Sequence, residues 1–135
     1  MLKGVVATVL LGMTASAAWA ADPTGVWTRP SGASRMEIKT CGNGLCGDLV
    51  WLKTPANDTK NPDPAKRSQS LIGRRIVHDL RPTKTAGEWK GEVYNAEDGR
   101  TYTGYATLIG ANQLKLQGCV LGGLICKGET WTRVD

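Results

Sequence analysis

Apolar and polar positions alternate in short runs along most of the chain, the two-residue period of strands half buried in a sheet. Gly25-Val26-Trp27-Thr28-Arg29 opens the series and stops at Pro30-Ser31-Gly32. Arg35 to Thr40 puts Met36 and Ile38 on one face, Glu37 and Lys39 on the other. Gly42-Asn43-Gly44 supplies the positive-φ positions of a turn. Gly47-Asp48-Leu49-Val50-Trp51-Leu52 returns as a strand apolar on both faces, which predicts an outward patch at Val50 and Leu52.

Arg74 to Leu80 continues the pattern, with Ile76, His78 and Leu80 on one face. Glu88 to Tyr94 follows with Trp89 and Val93 on one side, and Asn95-Ala96-Glu97-Asp98-Gly99 reads as a turn. Thr101 to Leu108 is rich in β-branched and aromatic residues. After Gly110-Ala111-Asn112, Leu114 to Cys119 and Cys126 to Val134 form the last two strands, joined through Val120 to Ile125. The closing Trp131-Thr132-Arg133 repeats the opening Trp27-Thr28-Arg29. We read these triplets as neighbouring first and last strands of one closed sheet. Short connections between eight strands predict an all-β fold, an antiparallel up-and-down barrel. Such a barrel has an interior filled by side chains or holding one small ligand.

One segment breaks the pattern. Thr54 to Ser70 is polar, contains three prolines and has no strand period. Long irregular connections of this kind are commonly functional or mobile. Placed over one barrel mouth, it would bring Asp58, Asn61, Asp63 and Arg67 to a ligand, with the rings of Trp51, Tyr94, Tyr102 and Tyr105 lining a pocket. The competing reading is a rigid turn in which Asn61 and Asp63 bond their own backbone. The spacing from Asp58 to Asp63 lacks the alternating ligands and glycine of a calcium loop.

Residues 1–20 change the picture of the N-terminus. Met1-Leu2-Lys3 is basic, Gly4 to Ala18 is uncharged and apolar, and Ala18-Trp19-Ala20 fits a signal-peptidase site. The run is short for a bilayer span. A signal peptide over 1–20 leaves 135 − 20 = 115 residues, 21–135, as one domain in the periplasm, with no membrane span after cleavage. Loss of Lys3 takes the net charge from +5 to +4. That bias suits an anionic envelope component and gives no ground for nucleic acid.

The four cysteines, Cys41, Cys46, Cys119 and Cys126, are even in number and all lie in the exported part. Two disulfides are expected. Of the three pairings, Cys41–Cys46 and Cys119–Cys126 are favoured because each brackets a glycine-bearing turn. A four-thiolate zinc site or a reactive thiol pair would prefer a Cys-x2-Cys spacing that is absent.

Taken together, Gly25-x-Trp27, Leu45-Cys46-Gly47, Lys60-Asn61-Pro62, Leu71-Ile72-Gly73, Tyr94, Asp98-Gly99, Tyr102, Gly118-Cys119 and Thr130-Trp131-Thr132-Arg133 resemble a family of small exported bacterial proteins, domain of unknown function 2147. The sequence departs from the family pattern at Tyr94-Asn95-Ala96, where Tyr-Asp-Pro is expected. The resemblance implies a lipocalin-like barrel and supplies no activity. It also implies closure residues: Gly25 and Trp27 plug one end, Arg133 lies over the Trp27 indole, and Arg29 with Trp131 makes a second such pair.

Little here points to catalysis. His78 is the sole histidine, and strand alternation turns the following Asp79 to the opposite face. No nucleophile signature is present. Arg74, Arg75, Arg81 and Lys84 cluster about one strand as a basic face, suited to phosphate or carboxylate or merely solvated. No catalytic residue, cofactor or metal is assigned. The readings carried forward are a binding barrel for a small amphipathic or apolar ligand and, as an alternative, an envelope interaction protein. An enzyme ranks third.

Overall fold

The computed structural model describes Gly4 and residues 22–135. The expected signal peptide therefore lies, apart from Gly4, outside the described residues. The alternating runs become eight strands: β1 (Gly25–Thr28), β2 (Ser34–Cys41), β3 (Gly44–Leu52), β4 (Arg75–Pro82), β5 (Glu88–Asn95), β6 (Arg100–Ile109), β7 (Gln113–Val120) and β8 (Ile125–Arg133). They pair antiparallel in chain order and close into one barrel. Closure is made where the repeated triplets meet, with Trp27 opposite Arg133 and Thr28 opposite Thr132. Pairing these end strands removes both sheet edges, whose unpaired backbone groups would otherwise remain. Among the described residues no helix is long and apolar enough to cross a membrane.

Because strands alternate in direction, the two rims carry different loops. One rim holds Asp22, where the continuously described residues begin, with Asp135, the β2–β3 and β6–β7 turns and the β4–β5 loop. The other holds the β1–β2, β5–β6 and β7–β8 connections and the long β3–β4 segment. We call them the closed and the open rim. Trp27, Met36, Leu80, Ala106 and Leu114 are fully buried between the walls, with Trp89 and Trp131 beside them. Both local cysteine pairs are disulfide-bonded, Cys41–Cys46 near the closed rim and Cys119–Cys126 near the open one. Such bonds point to a protein outside the reducing cytoplasm.

Two bulges revise the expected strand faces. In β3 the register with β2 slips so that Arg35 opposes Trp51 while Met36 opposes Leu49. The extra residue, Val50, reverses the alternation beyond it. Val50 and Trp51 are exposed, whereas Leu52 turns inward and packs on the core, so the outward patch is Val50 and Trp51 rather than Val50 and Leu52. In β4 the register with β5 slips between His78 and Arg81, and Asp79 sits at φ 50°. Gly91 admits this bulge: a Cβ there would lie 2.3 Å from the His78 carbonyl oxygen and 2.8 Å from that of Asp79. Val77 faces the core as a result, and His78 is only partly buried, opposite Glu92.

Candidate functional site

The closed rim is built from the first and last strands outward. Trp27 is fully buried, and its indole Nε1 donates to the Pro23 carbonyl at 2.9 Å. The Arg133 guanidinium stacks over that indole, 4.3 Å from the ring centre. The same guanidinium donates to three carbonyl oxygens: Ala111 at 2.9 Å, Thr24 at 2.6 Å and Asp22 at 2.8 Å. One cation thereby ties the N-terminal segment, the β6–β7 turn and the plug into a single unit. Gly25 is required beneath it, because a Cβ at that position would meet the Asp135 carbonyl oxygen at 2.5 Å and Arg133 at 2.7 Å.

The expected second stack of Arg29 on Trp131 is replaced by ion pairing. Trp131 and Glu129 share the inward face of β8, so Glu129 reaches Arg29 inside the wall. Arg29 donates through Nε and a terminal nitrogen to both Glu129 oxygens at 2.8–3.1 Å. Its other terminal nitrogen lies 3.3 Å from Glu97 in the β5–β6 turn. In an eight-strand ring β5 stands across from β1, so this bridge spans the open mouth. The Glu129 hydrogen bonds raise the Arg29 pKa further, against the opposing effect of burial.

Side chains around that mouth face inward yet are not sealed. The unbroken registers of β5 to β8 set Val93, Tyr102, Gly118, Lys127 and Glu129 on the same inner face as the buried Ala106, Leu116 and Trp131. Val93, Tyr102, Gly118 and Glu129 are nevertheless only half-buried, and Lys127 is exposed. Leu52, turned in by the β3 bulge, completes an apolar wall. Tyr102 donates its hydroxyl to Asp98 in the β5–β6 turn. That bond holds the Asp98 carboxyl below its usual range and the phenol above its own. We call this partly accessible inner face above the filled core the cup; among the described residues Lys127 is its one cation outside an ion pair.

The long β3–β4 segment lies elsewhere. Tyr94 follows the inward Val93 and so points outward, yet it is buried, because this segment straps over it. Asp58 is the centre of the strap, 2% exposed. It accepts the Tyr94 hydroxyl at 2.6 Å and the Asn61 amide at 2.8 Å. Arg74 places its guanidinium 4.1 Å over the Tyr94 ring, with Nε 3.1 Å from Asp58. That nitrogen is close enough for charge attraction but poorly aligned for a hydrogen bond. Burial, then the bond to Asp58, pushes the Tyr94 pKa up.

Asn61 and Asp63 also bond their own backbone, accepting from Asp63 N at 2.9 Å and Ala65 N at 3.0 Å, while Arg67 donates to the Asn61 carbonyl at 2.8 Å. A bridge between Asn57 and Ser70 pinches the strap shut. Gly99 receives it, since a Cβ there would collide with the Lys60 carbonyl. Asp58, Asn61 and Tyr94 therefore come together, but satisfy one another on the outer wall. Trp51 lies outside the barrel under Arg35, 5.0 Å from its ring centre. Of the predicted ligand residues only Tyr102 reaches the cup.

The predicted basic face is largely neutralised: Arg74 by Asp58, Arg75 by Asp48 at 2.9 Å, and Arg81 by Asp79 at 2.9 Å. Burial of Asp48 is outweighed by Arg75 and Lys39, which keep its carboxyl below the usual range. No local pattern signals the Arg29–Glu129 pair or the Arg74–Tyr94 stack, since each joins residues on separate strands or loops. Two further clefts are present. One, about 700 Å³, runs along the outer wall by the β4 bulge, among Asp79, Arg81, Lys90 and Glu92. The other, about 380 Å³, lies at the closed rim between Pro23, Leu45 and Trp89. Among the described residues no group of His, Cys, Asp and Glu is placed to hold a metal ion.

Comparison with known proteins agrees with this architecture. Protein HP1028 from the human pathogen Helicobacter pylori, described as belonging to the lipocalin family, superposes with a TM-score of 0.75 at 21% sequence identity. The alignment covers 85% of this chain and 84% of that one. At that identity the likeness establishes a shared lipocalin-like fold. No curated protein matches the sequence. Residues 25–133, from the first strand to the last, match one bacterial family throughout, and the chain belongs to that family, described as an uncharacterized protein conserved in bacteria (DUF2147).

Proposed function

We propose that this protein is a periplasmic binding barrel that holds one end of a small amphipathic ligand in its open half. The carrying observation is the contrast along the inner wall. Inward side chains are sealed at Trp27, Leu80 and Leu114 but accessible at Val93, Tyr102 and Lys127. Closed eight-strand barrels are suited to one small ligand at the mouth. Here the apolar part of the ligand would rest on Leu52, Val93 and Tyr102, and an anionic head would meet Lys127. Because the core below is filled, the ligand is gripped at one end and not engulfed. The two disulfides and the lipocalin-like fold support an exported carrier of this kind.

Native mass spectrometry of protein purified from the periplasm tests this. A co-purifying species of small mass is expected, with its occupancy reduced in Tyr102→Ala and Lys127→Glu. A clean apo mass, together with no binding from a panel of fatty acids and lysolipids, overturns the reading.

A further inference from the structure

Nine large apolar side chains are exposed among the described residues, and seven of them sit at the open rim: Val50, Trp51, Ile72, Val120, Leu121, Leu124 and Ile125. Isolated exposed apolar residues are ordinary, but a contiguous group marks a contact surface. Four of the seven form one feature. Val120-Leu121-Gly122-Gly123-Leu124-Ile125 is the tip of the β7–β8 hairpin, with exposures of 41% at Val120, 68% at Leu121, 85% at Leu124 and 57% at Ile125.

The tip is built to stay presented. Cys119 and Cys126 are direct cross-strand partners, and their disulfide clamps its base. Leu121 holds φ 53°, a conformation that costs a branched residue energy and that glycine would adopt freely. Leucine and not glycine holds that position, beside two glycines, and its side chain is 68% exposed. No charged residue interrupts the six.

The surroundings say what covers it. Lys53, Lys60, Lys66, Arg67 and Lys127 stand on the same rim or at the hairpin's base, and none of them is in an ion pair among the described residues. The rim acids are engaged instead: Asp58 is buried by Arg74, Asp63 caps a 3-10 turn, Glu97 and Glu129 hold Arg29, and Asp98 accepts from Tyr102. An apolar wedge on a rim that also carries cations outside ion pairs is complementary to an anionic bilayer surface, where hydrocarbon lies beneath negative headgroups. The exposed Trp51 and its stacked Arg35 add an amphipathic pair toward the same rim.

We propose that the β7–β8 hairpin tip inserts into an anionic phospholipid surface and sets the barrel mouth down on the membrane. This proposal stands independently of any ligand in the cup. The test is co-sedimentation of the purified protein with vesicles of phosphatidylcholine alone or mixed with phosphatidylglycerol, at low and at high salt. Wild type should pellet with the phosphatidylglycerol vesicles and be released by salt.

The double variant Leu121→Asp/Leu124→Asp should lose binding by about tenfold or more, since it removes the inserted apolar area. Lys127→Glu should weaken binding less and flatten its salt dependence. Both sites are solvent-exposed, and an unchanged circular dichroism spectrum with intact disulfides confirms folding. Wild type left in the supernatant, equal binding to both vesicle types, or undiminished binding by the double variant overturns the proposal. So does a dimer in light scattering that the double variant dissociates while wild type ignores vesicles, since the tip would then serve a second copy of the chain.

Discussion

The two ends of this barrel spend the same kinds of residue in opposite ways. At the closed rim an arginine, a tryptophan and three carbonyl oxygens are bound to one another, and the indole is fully buried beneath the guanidinium. At the open rim an arginine pairs with two carboxylates across a gap, a lysine points in unpaired, and leucines stand in water. One end has its polar groups satisfied by backbone carbonyl oxygens. The other has inward polar and apolar groups left for something else. The two ends thus differ along the barrel axis in how far their side chains satisfy one another, and a sealed plug leaves the mouth free of that task.

The largest test of this contrast is Trp27→Ala. It leaves a large cavity and strips Arg133 of its stack, so urea unfolding should show a loss of about 3–5 kcal/mol. Lys127→Ala at the mouth should stay within about 0.5 kcal/mol of wild type. Comparable losses at both sites would break the division between a structural and a free end.

The strap comes next. Asp58→Ala takes the acceptor from Tyr94 and Asn61 and leaves Arg74 unpaired, at a cost of about 2–4 kcal/mol in the same measurement. Its pH dependence sharpens the point. The Tyr94 pKa is raised by burial and by Asp58, so its contribution is fully present below the ordinary tyrosine range and is lost as pH climbs through the folded value. Melting temperature should therefore fall more steeply between about pH 10 and 11 in wild type than in Tyr94→Phe. Parallel curves would show that the phenol does not hold the strap.

The smallest effect belongs to the bridge over the mouth. Glu97 is 72% exposed, and its pair with Arg29 is of the weak surface kind. Glu97→Ala should change stability by less than about 0.5 kcal/mol. It should still speed the entry of a fluorescent fatty acid into the cup, measured by stopped flow. Unchanged entry would mean the bridge does not restrict the mouth.

Much of this was legible in the chain. The period-2 runs named eight strands, the two Trp-Thr-Arg triplets named the seam, and the bracketing glycines named both disulfides. These are local signals or exact repeats, and they need no knowledge of what lies across the barrel. The faces failed where a single extra residue intervened. Val50 turned Leu52 in and Trp51 out, and Asp79 shifted Val77 into the core, because side-chain direction is lost on passing a bulge and the sequence does not mark one. Gly91 was the available hint, a strand glycine opposite the second bulge. Asp58, Asn61, Asp63 and Arg67 stand together as the sequence expects, but they bond one another, their own backbone and Tyr94, and their partner Arg74 carries no mark in the sequence that sets it apart from the basic face.

By itself the sequence determined how many strands form, in what order, and which cysteines and end strands meet, since each follows from neighbours or from matching patterns. Only the tertiary structure decided which charges find each other. Arg29 with Glu129 and Glu97, and Arg74 with Asp58 and Tyr94, are paired by the curvature of a closed wall, which brings together groups up to 100 residues apart. The same curvature decided which apolar side chains were left outside.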